Sequence, residues 1–298
     1  MMRFDGVRVL APACVALTMA AVSLVAAPAP QAPRTIKDVT YATVNGRALA
    51  LDLYMPAGVE HPPLLVWIHG GAWREGSKSD ARLEFVEHGI ATAAVDYRLS
   101  TEARFPGMVY DIKAAIRFLR AHAADYGYRA DRIAIAGDSA GGHLAALVGV
   151  TNGDASLEGT EGDARNASSK VDAIVDYYGA SDLTTILDQS TPHGLSVREP
   201  ALKLLLGALP TDVPDLAKQA SVVTHVDASD PPLLLFHGDR DPQMPVNQAL
   251  ELDGAYEALG LPVDLVIVHG AAHGGDVFYR GENLDHALSF LGRTIGGE

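Results

Sequence analysis

The chain has 298 residues, 48% of them hydrophobic and 20% charged, which places it among globular proteins and excludes a disordered chain, a collagen or a coiled coil. Lysine and arginine number 23 against 37 aspartates and glutamates, for a formal net charge of −14. So acidic a surface repels a phosphate backbone, and nucleic acid is not an expected partner.

In chain order, the first feature is Arg3 and Arg8 ahead of an apolar run over 9–25 and a small, proline-rich stretch over 26–33. A basic start, an apolar middle and a small-residue end read as a secretory signal peptide over 1–26, with the cut site open. A retained membrane anchor is the competing reading. It needs about 20 apolar residues, and this run is shorter and contains Pro12. Cleavage would leave a secreted or periplasmic protein with no stable membrane association. Because Cys14 is the single cysteine, that product would have no thiol or disulfide chemistry.

Residues 35–44 and 49–54 read as strands joined at Asn45-Gly46, a dipeptide that favours a tight hairpin. A rhythm follows. Apolar strands are expected over 64–68, 90–95, 133–136, 171–177, 233–236 and 263–268. Helical patterns lie between them, over 81–88, through Val109 to Leu119, through Leu144 to Val148, and over 247–259 and 284–291. Buried strands alternating with amphipathic helices predict an α/β fold whose central sheet is mostly parallel and covered on both faces. Residues 182–230 break the rhythm with prolines at 192, 200, 210 and 214 and a helical stretch over 201–209. They read as a lid inserted into a single domain over 27–298. Ligands of such sheets bind beyond the carboxyl ends of the strands, so the polar residues there matter most.

Beyond the strand at 133–136 comes Gly137-Asp138-Ser139-Ala140-Gly141. Gly-x-Ser-x-Gly between a strand and a helix is the nucleophile elbow, a turn so sharp that its flanking positions exclude side chains. A hydroxyl is a weak nucleophile near neutral pH and needs a base that an acid orients, in the chain order Ser, Asp, His. Asp241 follows the fifth core strand, with Asp239 as a rival that would instead bond the loop backbone. His273 follows the sixth; His269 is expected to pack at the strand terminus and His286 on the last helix. After the first core strand stands His69-Gly70-Gly71-Ala72-Trp73. Its glycines allow backbone amides to approach the oxygen that gains charge in acyl transfer, joined by the amide of Ala140. Trp73 is the candidate wall of the acyl pocket.

These stretches resemble the α/β-hydrolase superfamily, in particular the esterases with an HGG-x-W oxyanion loop related to hormone-sensitive lipase. Within them the pattern is similar to secreted bacterial feruloyl and acetylxylan carbohydrate esterases. The matching segments are HGGAWREGSK (69–78), VDYRLS (95–100), GDSAGGHLAAL (137–147), HGDRDPQMP (237–245) and HGAAHGG (269–275). The resemblance implies a serine esterase with Ser139, Asp241 and His273 as its triad, and Gly71, Ala72 and Ala140 as oxyanion donors. It implies a small-molecule or carbohydrate ester as substrate and requires neither metal nor organic cofactor. Thr101 stands where a proline usually follows VDYRLS, and Met244 replaces an aliphatic valine. An arylformamidase shares the HGG-x-W loop, and a binding protein on a hydrolase scaffold is the alternative of another class. Three further groups read as structural: Asp96 and Arg98 as an ion pair, His143 as a packing residue, and Asp138 as a side chain turned away from the site.

Overall fold

The computed structural model describes residues 1–2 and 32–296. The segment over 1–26 expected to be a signal peptide, including Cys14, therefore lies outside the described residues apart from Met1 and Met2. Among the described residues no helix is long and apolar enough to cross a membrane.

Strands β1 (Arg34–Val44) and β2 (Arg47–Met55) form an antiparallel hairpin. Asn45 and Gly46 supply its turn at φ 51° and 81°, the two left-handed positions that a two-residue loop requires. The elements then run β3 (Leu64–Ile68), α1 (Glu84–Glu87), β4 (Ala91–Val95), α2 (Gly107–Ala121), α3 (Ala123–Tyr126), β5 (Ile133–Asp138), α4 (Ala140–Val150) and β6 (Ala173–Tyr177). They continue as α5 (Ile186–Gln189), α6 (Pro192–Leu206), α7 (Pro214–Gln219), β7 (Leu233–Gly238), α8 (Asn247–Ala258), β8 (Val263–Val268) and α9 (Gly281–Thr294).

One eight-stranded sheet has the order β1-β2-β4-β3-β5-β6-β7-β8, antiparallel at β1-β2 and β2-β4 and parallel from β4 onward. This is the α/β-hydrolase architecture. Its centre is hydrophobic on both faces because alternate side chains of a strand point to opposite sides. Leu64, Val66 and Ile68 of β3 join Ile133, Ile135 and Leu144 on one side. Leu65 and Trp67 join Phe85, Tyr177, Phe236 and Phe290 on the other. Each fully buried aliphatic side chain there contributes roughly 1.5–3 kcal/mol of transfer free energy.

Two helices differ from the sequence expectation. The helix expected over 81–88 shrinks to α1 because a turn at Lys78–Asp80, boxed by Ser77, releases the chain into an extended Ala81 at ψ 142°. The helix expected over 201–209 begins instead at Pro192. Thr191 Oγ1 caps it by accepting the Gly194 amide at 3.0 Å, and Gly207 ends it at φ 90°. Pro200 lies inside this helix and removes one backbone bond, but burial of Ala201, Leu202 and Leu205 on the same face carries the helix through it. The segment between β6 and β7 lies against the loop after β7, where the Thr191 hydroxyl donates to the Pro242 carbonyl at 2.8 Å.

The ion pair expected between Asp96 and Arg98 does not form. Arg98 grips the fully buried Asp111 of α2, with Nη2 to Oδ1 at 2.7 Å, and reaches Glu161 at 3.2 Å. Asp96 accepts the Lys78 amide at 2.7 Å instead. A carboxylate buried as deeply as Asp111 needs a cation more than the exposed end of a loop does.

Candidate active site

Ser139 occupies the turn between β5 and α4 at φ 53° and ψ −114°, a region that strains a non-glycine residue by roughly 1–3 kcal/mol. Its neighbours explain the two glycines. A Cβ on Gly141 would sit 2.1 Å from the Ile68 carbonyl, and one on Gly137 2.3 Å from the Gly141 carbonyl. The Ser139 amide donates to the Tyr177 carbonyl at 2.8 Å, which ties the turn to β6.

The Ser139 hydroxyl faces His273, with Oγ 2.8 Å from Nε2. The other ring nitrogen, Nδ1, lies 2.5 Å from Asp241 Oδ2. Asp241 Oδ1 accepts the amides of Gln243 and Met244, each at 2.8 Å. Burial alone would raise the Asp241 carboxyl, but His273 and those two amides outweigh it and hold the pKa below its ordinary value. The acid stays ionised and fixes the proton of His273 on Nδ1, so Nε2 can accept one from the serine. A second histidine, His237, stands 3.6 Å from the same carboxylate. It is buried, which pushes its pKa down, and its Nε2 donates to the Met244 carbonyl at 3.0 Å.

The loop after β3 lies opposite. Gly71, Ala72 and Trp73 all have positive φ, 109°, 50° and 60°. A Cβ on Gly71 would lie 2.0 Å from the Glu75 carbonyl, so only glycine fits. The amides of Gly71 and Ala72 donate to no backbone carbonyl among the described residues, and Ala140, opening α4, has no intrahelical acceptor. The His69 ring holds the loop by stacking on Tyr97, 4.4 Å between centroids, while the Tyr97 hydroxyl donates to the His69 carbonyl at 3.0 Å.

Trp73 does not wall the pocket. It is fully buried, and its Nε1 donates to His143 Nδ1 at 3.1 Å. His143 in turn donates from Nε2 to the Ala220 carbonyl at 2.7 Å. His143 is thus the packing residue that the sequence suggested. Burial lowers its pKa to about 4, so it is neutral. The run of positive φ through Trp73 turns the indole inward, where it links the loop to α4 and to the segment between β6 and β7.

A cleft of about 300 Å³ opens over Ser139, walled by Ala72, Arg74, Tyr178, Val197, Arg198 and Gln243. Asp138 also lines it, contrary to the expectation that it turns away. Its carboxylate lies 3.7 Å from Arg82 and accepts from the Tyr178 hydroxyl at 3.4 Å. Burial raises its pKa against the opposing pull of Arg82 and the Gly70 amide.

Residues 51–256 match the family described as BD-FAE, about two thirds of the sequence. The chain belongs to the BD-FAE family. Among curated relatives, a "Probable carboxylic ester hydrolase LipM" of Mycobacterium tuberculosis is 34% identical over 71% of this chain and 49% of its own length. The chain spans about half the length of the first such relatives it matches. Among solved structures, a truncated carbohydrate esterase from gut microbiota superposes with a TM-score of 0.80 at 30% identity, covering 87% of this chain and 95% of that one. Esterase Est2 of Thermogutta terrifontis gives a TM-score of 0.68 at 31% identity over 85% and 90% of the two chains, and has also been solved with butyrate bound.

In this BD-FAE member Asp239 is exposed and bonds the loop, accepting from the Gly270 amide at 2.7 Å and pairing with His269 at 2.9 Å. His269 therefore projects outward rather than packing. His286 pairs with Asp264 at 2.6 Å. No group of three or more histidine, cysteine, aspartate or glutamate side chains able to hold a metal occurs among the described residues. Sequence reasoning missed Arg74 and Arg198. Arg198 falls on the buried face of α6 with Gly194, Ala201, Leu202 and Leu205, a spacing visible only once the helix is started at Pro192.

Proposed function

We propose that the protein is a serine hydrolase of carboxylic esters, acting through an acyl-enzyme on short acyl groups. The observation that carries this is the chain from Ser139 through His273 to Asp241, 2.8 and 2.5 Å long, in a cleft lined by Gly71 and Ala72, whose amides donate to no backbone carbonyl among the described residues. Ser139 attacks the ester carbonyl while His273 Nε2 takes the hydroxyl proton. The oxyanion is held by the amides of Gly71, Ala72 and Ala140; His273 then protonates the leaving alcohol. Water repeats the sequence on the acyl-enzyme and regenerates the serine. Asp241 orients the imidazole and stabilises its charged form. The small, polar-lined cleft supports acyl chains of about two to six carbons rather than fatty acyl groups. Its likeness to a carbohydrate esterase supports acetylated or feruloylated carbohydrate as the natural ester. The basic, apolar and small-residue order of residues 1–33 supports export to the periplasm or medium, which N-terminal sequencing of the secreted protein tests.

A fluorophosphonate should label Ser139 and abolish hydrolysis of nitrophenyl acetate. Acetylated xylan and methyl ferulate should then be substrates. Absence of labelling would defeat the hydrolase reading; labelling with rates that peak at about ten carbons or more would defeat the short-chain one.

A further inference from the structure

The cleft over Ser139 differs in charge from the rest of the chain. A chain of net charge −14 places three arginines on this wall, Arg74, Arg82 and Arg198, against Glu75 and Asp138. Arg82 has a carboxylate, 3.7 Å away in Asp138, and stacks 3.9 Å over the Tyr279 ring, although its Nε is buried without a hydrogen-bond partner. Arg198 has no such carboxylate. It is 1% exposed, its Nε donates to the Gln243 carbonyl at 3.2 Å, and its Nη1 is buried with no hydrogen-bond partner. Asp241 attracts it and Arg74 repels it, but no carboxylate lies within ion-pair distance of either guanidinium among the described residues. Burial lowers the Arg198 pKa to about 10, so it remains charged at neutral pH.

A buried cation with an unsatisfied donor destabilises a fold, and two like charges beside each other add to that cost. The remaining buried positions of α6 are small or apolar, so packing alone would favour a neutral side chain at 198. An anion in the cleft that both arginines line would offset the two positive charges together. The planar fork of arginine matches a carboxylate, which it can bind through two parallel hydrogen bonds.

We propose that the cleft selects esters that also carry a carboxylate, held by Arg198 and Arg74 while the ester carbonyl faces Ser139; this rests on the ester-hydrolase reading of the site. A purely electrostatic support of Asp241 by Arg198 makes a different forecast, since it involves neither Arg74 nor the charge of the substrate.

Two matched pairs of esters test the proposal in the intact protein at low salt. Nitrophenyl hexanoate against mono-nitrophenyl adipate places the carboxylate on the acyl side. Acetylated methyl glucoside against acetylated methyl glucuronide places it on the alcohol side. In at least one pair kcat/KM should favour the anion by about ten-fold or more. Arg198→Gln and Arg74→Gln should each shrink that ratio, and Arg74, half-buried and outside any helix or strand, carries the test should Arg198→Gln fail to fold. Preference for the neutral ester in both pairs overturns the proposal, as does a ratio that survives both substitutions. So does an Arg198→Gln variant that loses both members of a pair equally, which would make Arg198 a positioning residue for Asp241. Neutral esters cleaved with no anion preference sink the selectivity alone. No cleavage in either pair, with Ser139 unlabelled by fluorophosphonate, sinks the hydrolase reading as well.

Discussion

Two aspartate–histidine pairs bridge the loops that follow β7 and β8, only a few residues apart in sequence. Asp241 and His273 lie 2.5 Å apart with side chains 0% and 12% exposed. Asp239 and His269 lie 2.9 Å apart with side chains 36% and 85% exposed. The chemistry of the partners is the same; their surroundings are not. Asp241 is buried and receives two backbone amides that keep it ionised, and its histidine turns the other nitrogen to Ser139. Asp239 closes a surface turn, and no hydrogen bond from the His269 ring reaches the nucleophile. Burial with compensating donors, rather than the pairing itself, converts a common surface contact into a device that can direct a proton.

The sharpest way to break this comparison is to remove one charge from each pair. Asp241→Asn should lower kcat by about 10⁴, because an amide cannot hold the His273 tautomer that accepts the serine proton. Asp239→Asn should leave hydrolysis of nitrophenyl acetate within about two-fold. The reverse ranking would reassign the acid. Stability should separate the variants too. The Asp241 pKa is depressed in the fold, so its ionised form stabilises the protein above the unfolded value of 3.8 and that contribution fades as pH falls through the folded value. The difference in thermal midpoint between wild type and Asp241→Asn should therefore narrow below that pH.

A third histidine extends the contrast to stability. His143 is buried and neutral, with a pKa of about 4 against 6.5 when unfolded. Between those values the unfolded chain binds a proton that the folded one refuses, so stability falls as pH drops from about 6.5 towards 4, by up to about 3 kcal/mol. Urea unfolding at pH 7 and pH 5 should show this loss in the wild type and a smaller one in His143→Gln. An equal loss in both would remove His143 from the account.

What the sequence makes legible follows the same line between local and distant information. Gly137, Ser139 and Gly141 announce the elbow because the turn itself forbids other residues, and strand order then placed Asp241 and His273 where the sheet brings them together. Trp73 shows the limit. A tryptophan beside an oxyanion loop suggests a pocket wall, but three successive positive φ values turn it inward onto His143, a partner seventy residues away. Arg98 found Asp111 rather than its near neighbour for the same reason, and Pro200 masked the first turns of α6 and with them Arg198.

Trp73→Phe tests that correction. It keeps the buried ring and deletes one hydrogen bond, leaving His143 Nδ1 without a donor, at a cost of about 1–2 kcal/mol by chemical unfolding. The preferred acyl length should not move; a shift by two carbons or more would restore Trp73 to the pocket.

The smallest effect belongs to the outer pair, and its smallness is informative. His269 donates across an exposed turn where water competes for both partners and salt screens their charge. His269→Ala removes that contact while the Gly270 amide still satisfies Asp239, so the loop retains one of its two closures. Hydrolysis should stay within about two-fold of wild type, and the thermal midpoint should be unchanged within about 1 °C. A ten-fold fall in kcat would mean that the turn positions His273, four residues further on, and that the two pairs act as one unit. A double variant with Asp239→Asn would decide how. If the outer contact acts only through the turn, its effect should equal that of the larger single change; independent roles would make the two losses multiply.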